Sequence, residues 1–359
     1  MRDFITLDDL SNFEIEQIFR LADQMKEQTA TWSGFCKGKI LATLFFEPST
    51  RTRLSFESAI GRLDGRALGF ADPASSSIAK GETIADTARM VANYADLIAI
   101  RHNWAGSARV MAEYAQVPVI NCGDGGHSHP TQGLIDLYTI VKRQGTIQKK
   151  TIGICGDLRY SRASHSLAIG VARFGGQLVH IAPSEFQMPE WVLTKLKYVY
   201  DAEPVEAGRI SEVIGDLDVI YVNRLQAERL PPEIDPQSAQ KAYQLNATIM
   251  EEAKLSSMIM HPLPRVNELA YELDSDPRAA YFEQSANGVP IRMALMVSLL
   301  GLEHLVLTKP PEQKIMEDLQ QCGNPNCITS QEGYILSKSE VICSQPMVRV
   351  CAYCNELKD

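Results

Sequence analysis

Ile40-Leu41-Ala42-Thr43-Leu44-Phe45 runs directly into Phe46-Glu47-Pro48-Ser49-Thr50-Arg51-Thr52-Arg53, and this join decides how the chain is read. The first six residues are an apolar run of strand length. Behind Pro48, which ends that run, Leu54, Phe56, Ala59, Ile60 and Leu63 recur at helical spacing. A buried strand that turns through hydroxyl residues into a helix is half of a parallel α/β unit. Ser49, Thr50 and Thr52 supply N-cap chemistry. A helix start of this kind aims backbone N–H groups and partial positive charge at one point, and Arg51 adds a bidentate fork. The result is a seat for a phosphate, although the stretch by itself also fits an ordinary capped helix with solvated arginines.

Working outward, residues 13–29 carry Ile15, Ile18, Phe19, Ala22 and Met25 on one helical face. Strand-like runs at 97–100 and 117–121 alternate with helical stretches at 84–94, 107–115 and 131–143. Residues 144–150 break the pattern. A second series then opens with a strand at 151–155 and continues with strands at 177–182, 218–222 and 258–260. Its closing helix is expected from Ile291, just after Pro290, to Leu300. This alternation predicts parallel sheets covered by helices on both faces. The turn after 151–155, Gly156-Asp157-Leu158-Arg159, lacks the glycine spacing of a dinucleotide site, which argues against a nicotinamide enzyme.

Composition narrows the function. Thirty-five basic against 44 acidic residues leave a net charge of −9, which disfavours nucleic acid and anionic membranes as partners. The N-terminus has no apolar leader-like core and no run reaches membrane-spanning length, so a cytoplasmic protein is expected. Against that acidic background, Arg51, Arg101, Arg162 and Arg224 each follow a predicted strand. Arginines gathered at strand ends suit a ligand with several separated negative charges, a phosphate and carboxylates.

Other groupings share those positions. Ser75-Ser76-Ser77-Ile78-Ala79-Lys80-Gly81 reads as a clamp loop, with Lys80 as a point charge. His127-Ser128-His129-Pro130-Thr131-Gln132 leads into a helix, Arg162 stands three residues before His165, and Asn223-Arg224-Leu225-Gln226 follows a strand. His261-Pro262-Leu263-Pro264-Arg265 follows the next one, where the prolines are expected to hold the carbonyls beside Leu263 in extended geometry. Each is unremarkable alone: a loop histidine is usually structural and a loop arginine usually solvated.

Taken in order, these motifs resemble the carbamoyltransferases over about residues 1–305. His-Pro-Leu-Pro and Arg224-x-Gln226 are similar to the aspartate branch more than to the ornithine one. A dicarboxylate acceptor needs arginine where a cationic tail would be repelled. The resemblance implies that Ser49, Thr50, Arg51 and Thr52 hold the phosphate of carbamoyl phosphate. Thr52, Arg101 and His129 would polarise its carbonyl, and Gln132 with the carbonyls of Pro262 and Leu263 would bind the carbamoyl and amino groups. Arg162 would take the α-carboxylate of L-aspartate, and Arg224 with Gln226 its side chain. Ser76 and Lys80 would reach into a neighbouring subunit's site, implying a homotrimer or a dimer of trimers. No metal or other cofactor would be needed for the transfer.

Eight cysteines divide unevenly. Cys36, Cys122 and Cys155 read as small core residues. Cys322-x4-Cys327 and Cys351-x2-Cys354 make two knuckles, with 23 residues between them, that suit a structural Zn²⁺; Cys343 falls outside the pattern. A module this short needs such a staple. It resembles the zinc domain of aspartate carbamoyltransferase regulatory chains, here without the nucleotide-binding domain that normally precedes it. The ribbon would dock on catalytic domains.

The expected fold class is α/β, with two doubly wound parallel-sheet domains and a small C-terminal zinc ribbon. Residues 1–135 with 286–305 would bind carbamoyl phosphate, 136–285 aspartate, 306–321 would be a linker and 322–359 the zinc domain. Two rival readings stand beside this one: a transcarbamoylase for another amine such as ornithine, and a non-catalytic scaffold carrying a zinc-ribbon interaction module.

Overall fold

β1 (Ile40–Phe45) lies inside a four-stranded parallel sheet between β2 (Arg66–Phe70) and β3 (Leu97–His102), with β4 (Val119–Asp124) beyond β3, giving the order β2-β1-β3-β4. In this computed structural model the described residues are 2–70, 80–225, 243–303, 307, 314–318 and 320–358. β1, β3 and β4 are buried almost throughout, which is why they read as continuous apolar runs, whereas β2 at the edge is largely exposed and carried no such signal. α1 (Asn12–Glu27), α2 (Thr50–Arg62), α3 (Ile84–Val91), α4 (Ser107–Tyr114) and α5 (Pro130–Gln144) occupy the stretches where helices are expected. α1 starts on a capping box between Ser11 and Glu14.

A second parallel sheet has the order β7-β6-β5-β8-β9, from β5 (Thr151–Cys155), β6 (Gln177–Ile181), β7 (Val205–Ala207), β8 (Val219–Val222) and β9 (Met258–Met260). α6 (Arg162–Arg173) and α7 (Glu190–Tyr200) link its strands. Both sheets reverse direction of growth once, between β1 and β3 in the first and between β5 and β8 in the second. Ligands of open α/β sheets bind beyond the strand ends at such reversals.

The long helix Tyr281–Leu299 begins ten residues before the expected Ile291 and carries Pro290 inside it. Proline removes only one N–H from a helix this long, and Arg292 Nη1 donates to the Gly288 carbonyl at 3.1 Å, steadying the turn around it. The 306–321 stretch also departs from a bare linker. β10 (Ile315–Glu317) joins β11 (Lys338–Ser344), β12 (Met347–Cys351) and β13 (Leu357–Lys358) in an antiparallel sheet, the cysteine ribbon.

The chain divides into two compact units, Met1–Leu134 with Gly288–Asp359, and Ile135–Asn287. The ribbon is part of the first unit and shares its core. Cys327, Ile328, Cys351, Tyr353 and Cys354 pack in one apolar cluster with Ala105, Ala108, Val110 and Met111. The second unit has its own core around Ile220, Val222, Tyr243, Leu245 and Ile259. Among the described residues no helix is long and apolar enough to cross a membrane.

Candidate active site and metal centre

Arg51 and Arg101 flank the β1/β3 reversal of the first sheet, as Arg162 and Arg224 flank the β5/β8 reversal of the second. Arg101 lies in β3 and Arg224 two residues beyond β8, while Arg51 and Arg162 stand on the first turns of α2 and α6, the helices that follow β1 and β5. In the first unit Phe45 pairs with Arg101 across the sheet, and the Phe46 N–H donates to the Arg101 carbonyl at 2.9 Å. The Arg101 side chain meets Glu47 at 3.2 Å. The phosphate motif and Arg101 are thereby fastened at two points, and Glu47 is a partner the sequence reading had not singled out.

Ser49 stands at the N-cap of α2, but its hydroxyl makes no capping bond. This departs from the ordinary capped helix and leaves the hydroxyl for a ligand. Thr50 and Arg51 are exposed on the first turn, while Thr52 faces inward and is buried. Next to Arg101, burial holds His102 down to about 4, so the ring is neutral at physiological pH. Its Nδ1 accepts the Trp104 N–H at 3.0 Å, and the ring packs against Phe46. His102 therefore shapes the loop and brings no charge to it.

The loop between β4 and α5 is buried almost throughout, His127, Ser128 and His129 included. Asp124 organises it. Its carboxylate accepts the Gly106 N–H at 2.6 Å, Asn121 Nδ2 at 2.8 Å and the Ser128 N–H at 3.3 Å, and pairs with His127 Nδ1 at 3.0 Å. His129 Nδ1 lies 3.3 Å from the Thr131 hydroxyl, and Gln132 is half-buried on the first turn of α5. Lys80 is exposed just before α3. Ser76 lies outside the described residues, as does Gln226 in the second unit.

In that second unit Arg162 opens α6 and is 8% exposed, behind Ser161, whose hydroxyl caps the helix by accepting the Ser164 N–H. The Ser161 hydroxyl also donates to Asn223 Oδ1 at 3.1 Å, tying the start of α6 to the residue after β8, just before Arg224. Asn223 Nδ2 is buried and unpartnered among the described residues. His165 is structural: its ring binds the Leu158 carbonyl at 2.8 Å and stands edge-on to Trp191.

The His261–Arg265 turn differs from the extended geometry expected of it. Leu263 has φ of +52° and lies in the left-handed region, which costs a branched residue about 1–2 kcal/mol. Its N–H donates to His261 Nδ1 at 2.8 Å, and His261 Nε2 pairs with the fully buried Glu268 at 2.9 Å. Desolvation raises the Glu268 carboxyl, but hydrogen bonds from His261 and backbone N–H groups outweigh it and leave the group below its ordinary range. The sequence offered no sign of this carboxylate, seven residues downstream of its partner. Strain held by such a network is typical of a ligand-contacting turn.

The ribbon gathers Cys322, Cys327, Cys351 and Cys354, all buried, with their sulfurs within 4.8 Å of one another. Cys322–Cys354 and Cys327–Cys351 are 3.4 and 3.9 Å apart. Sulfurs on a tetrahedral ion with bonds of about 2.3 Å would sit ~3.8 Å apart, so the set fits a metal. The Thr329 hydroxyl donates to Cys327 Sγ at 3.2 Å, the kind of bond that steadies a thiolate ligand. Hydrogen bonds from Cys322 and the other thiols pull Cys351 below the usual thiol range, whereas the same crowding pushes Cys354 up: four thiolates need a cation to coexist. Cys343 is not in the cluster.

These features coincide with three family descriptions. Residues 2–142 match the carbamoyl-phosphate-binding domain of aspartate/ornithine carbamoyltransferases, and residues 148–299 match the Asp/Orn-binding domain. The chain is 48% identical over 302 residues to the aspartate carbamoyltransferase catalytic subunit of Finegoldia magna, covering 84% of this chain and 98% of that one. It belongs to the aspartate/ornithine carbamoyltransferase family. Another member, the catalytic subunit from Bifidobacterium adolescentis, is 48% identical over 83% of this chain and 94% of its own. Among solved carbamoyltransferase structures, the Trypanosoma cruzi aspartate transcarbamoylase bound to N-(phosphonacetyl)-L-aspartic acid superposes with a TM-score of 0.78 at 34% identity, covering 83% of this chain and 95% of that one. The M. jannaschii catalytic subunit gives 0.76 at 41%, covering 84% and 98%. Residues 314–358 match the metal-binding domain of the aspartate carbamoyltransferase regulatory chain. This carbamoyltransferase thus carries a regulatory-type metal domain on its catalytic chain.

Proposed function

We propose that this chain transfers the carbamoyl group of carbamoyl phosphate to the amino group of L-aspartate, releasing N-carbamoyl-L-aspartate and phosphate, a step of pyrimidine biosynthesis. The observation that carries the reading is the pair of arginines at each sheet reversal, one pair fastened to a hydroxyl-rich helix start whose N-cap serine does not cap. Relatives named for aspartate support it over the ornithine alternative, and the intact phosphate motif speaks against a non-catalytic scaffold.

Ser49, Thr50, Arg51 and Thr52 bind the phosphate. Thr52, Arg101 and His129 donate to the carbamoyl oxygen, on which negative charge grows as the uncharged amine attacks. Gln132 and the carbonyls of Pro262 and Leu263 orient the carbamoyl and amino groups. Arg162 holds the α-carboxylate, and Arg224 with Gln226 the β-carboxylate. The departing phosphate takes the amine proton on its own oxygens, so positioning and electrostatics supply the acceleration.

Ser76 and Lys80 serve an adjoining protomer in a homotrimer or a dimer of trimers. The largely exposed edge strand β2 and Leu54, 58% exposed on α2, are consistent with a face that meets another copy. The metal is Zn²⁺, a structural cross-link that takes no part in the transfer, and the protein works in the cytoplasm. Phosphate release with carbamoyl phosphate plus aspartate, then plus ornithine, tests the reaction. Release with aspartate only is expected; release with ornithine only, or with neither, overturns it.

A further inference from the structure

The residue after the last metal-binding cysteine, Asn355, lies against the loop that carries His129. Asn355 has φ of +61°, a conformation asparagine tolerates better than most residues, and its N–H donates to the Cys351 carbonyl at 2.9 Å. Its place is therefore set by the cysteine knuckle. From there its Nδ2 reaches His127 Nε2 at 2.9 Å. His127 gives its Nδ1 hydrogen to Asp124 at 3.0 Å, so Nε2 keeps the lone pair that accepts the Asn355 amide, and one neutral tautomer satisfies both contacts.

Asp124 passes the constraint on, since its carboxylate also holds the Ser128 N–H beside His129 and the Gly106 N–H at the start of α4. The same region is tied to the ribbon by backbone. The Ala105 N–H donates to Asn326 and the Ala105 carbonyl accepts from Ile328, at 3.0 and 2.9 Å. Gly106 must be glycine here, with φ of +85° and only 2.5 Å between a hypothetical Cβ and the Cβ of Tyr353. A second hold lies at α3, where Glu332 accepts the Ile84 N–H and the Tyr334 hydroxyl accepts that of Ala85. The His129-bearing loop and the N-terminus of α3 are thus both held by ribbon side chains of the same chain.

We propose that Asn355 is a positioning residue for carbamoyl transfer, holding His127 so that the metal-gathered ribbon sets the loop bearing His129. The proposal rests on the role given to His129 above. If the ribbon and that loop are coupled, the coupling is reciprocal: carbamoyl phosphate bound at the loop must tighten metal binding at the knuckles.

The test uses the full-length, zinc-loaded protein. Asn355→Gly removes the amide and keeps the left-handed backbone accessible. Metal content and thermal midpoint should match the parent, while KM for carbamoyl phosphate rises three- to tenfold with a smaller change in kcat. In the parent, saturating carbamoyl phosphate should protect zinc in equilibrium competition with a chromogenic chelator, tightening its apparent affinity at least threefold, and in Asn355→Gly that protection should vanish. A residue that only packs the ribbon would not uncouple the two. If Asn355→Gly loses its metal, His127→Ala severs the same contact from the other side and must also abolish the protection. Unchanged KM and unchanged protection in the metal-replete variant overturn the proposal. A parent protein that releases no phosphate from carbamoyl phosphate and aspartate overturns the assigned reaction instead.

Discussion

Replacing Gly156 with alanine tests whether the β5/β8 reversal positions Arg162 and Arg224, the arginines proposed to hold aspartate. Gly156 has φ of +107°, and a Cβ built there would lie 2.4 Å from the Asn223 carbonyl oxygen and 3.2 Å from the Tyr243 ring. Backbone cannot rotate away as a side-chain tip can. Restoring an ordinary separation of about 3.4 Å requires the chain after β5 and the chain after β8 to part by ~1 Å, just ahead of Arg162 on α6 and beside Arg224. The unusual φ costs an alanine about 1–3 kcal/mol and the overpacking about 1–3 kcal/mol more. For a unit of this size that corresponds to a fall in thermal midpoint on the order of 5–20 °C. A misplacement of about 1 Å at a binding constellation can cost ~10²-fold in efficiency. Steady-state kinetics should show the loss falling on aspartate, as a raised KM, while calorimetry finds carbamoyl phosphate binding close to the parent value. An Asn223 carbonyl that stays put would refute the reasoning: it would show as an aspartate KM within twofold of the parent in a protein with an unshifted midpoint.

Other expectations follow from the same geometry. His129→Ala should lower phosphate-release turnover about 10²–10³-fold, the usual cost of removing a donor to a developing oxyanion; turnover within tenfold would strip His129 of that role. Arg224→Ala should weaken aspartate use by about two orders of magnitude and leave carbamoyl phosphate binding unaltered, whereas equal loss of both would contradict the assignment. Glu268 is held below its ordinary range, so the stability it contributes is present above the unfolded carboxyl value, about 4.3, and is lost as pH falls through the lower folded value. Glu268→Gln should therefore flatten the acid limb of a thermal-stability profile, and an identical limb would remove the pair from the account. Stripping the metal should open the ribbon to protease within residues 314–358, because the four buried cysteines are its main internal staple; cleavage equal to that of the loaded protein would argue for a ribbon that holds without it.

The chain itself declared its strands where both faces are buried. β1, β3, β5 and β8 are near-continuous apolar runs, and the polar motifs begin where these runs stop because strands buried on both faces leave few places for polar groups within them. Four cysteines in two knuckles announced a metal site before any sulfur was placed, since local spacing largely fixes such turns. Edge strand β2 and the strand β10 were illegible, as exposure erases the apolar signal on which the reading depends.

What remained was decided between residues far apart in sequence. Which strands neighbour one another, and therefore which arginines share a reversal, depends on long-range pairing that no window of sequence contains. Glu47 against Arg101, Ser161 against Asn223 and Asn355 against His127 join positions separated by up to 228 residues, and each pair needs a folded backbone to bring its polar atoms within bonding range. Leu263 in the left-handed region is a further case, because a network around His261 and Glu268 overrides the local preference of the Pro-Leu-Pro turn. Local chemistry chose the parts and burial set their alternation; closing the sheets determined which parts could act on one another.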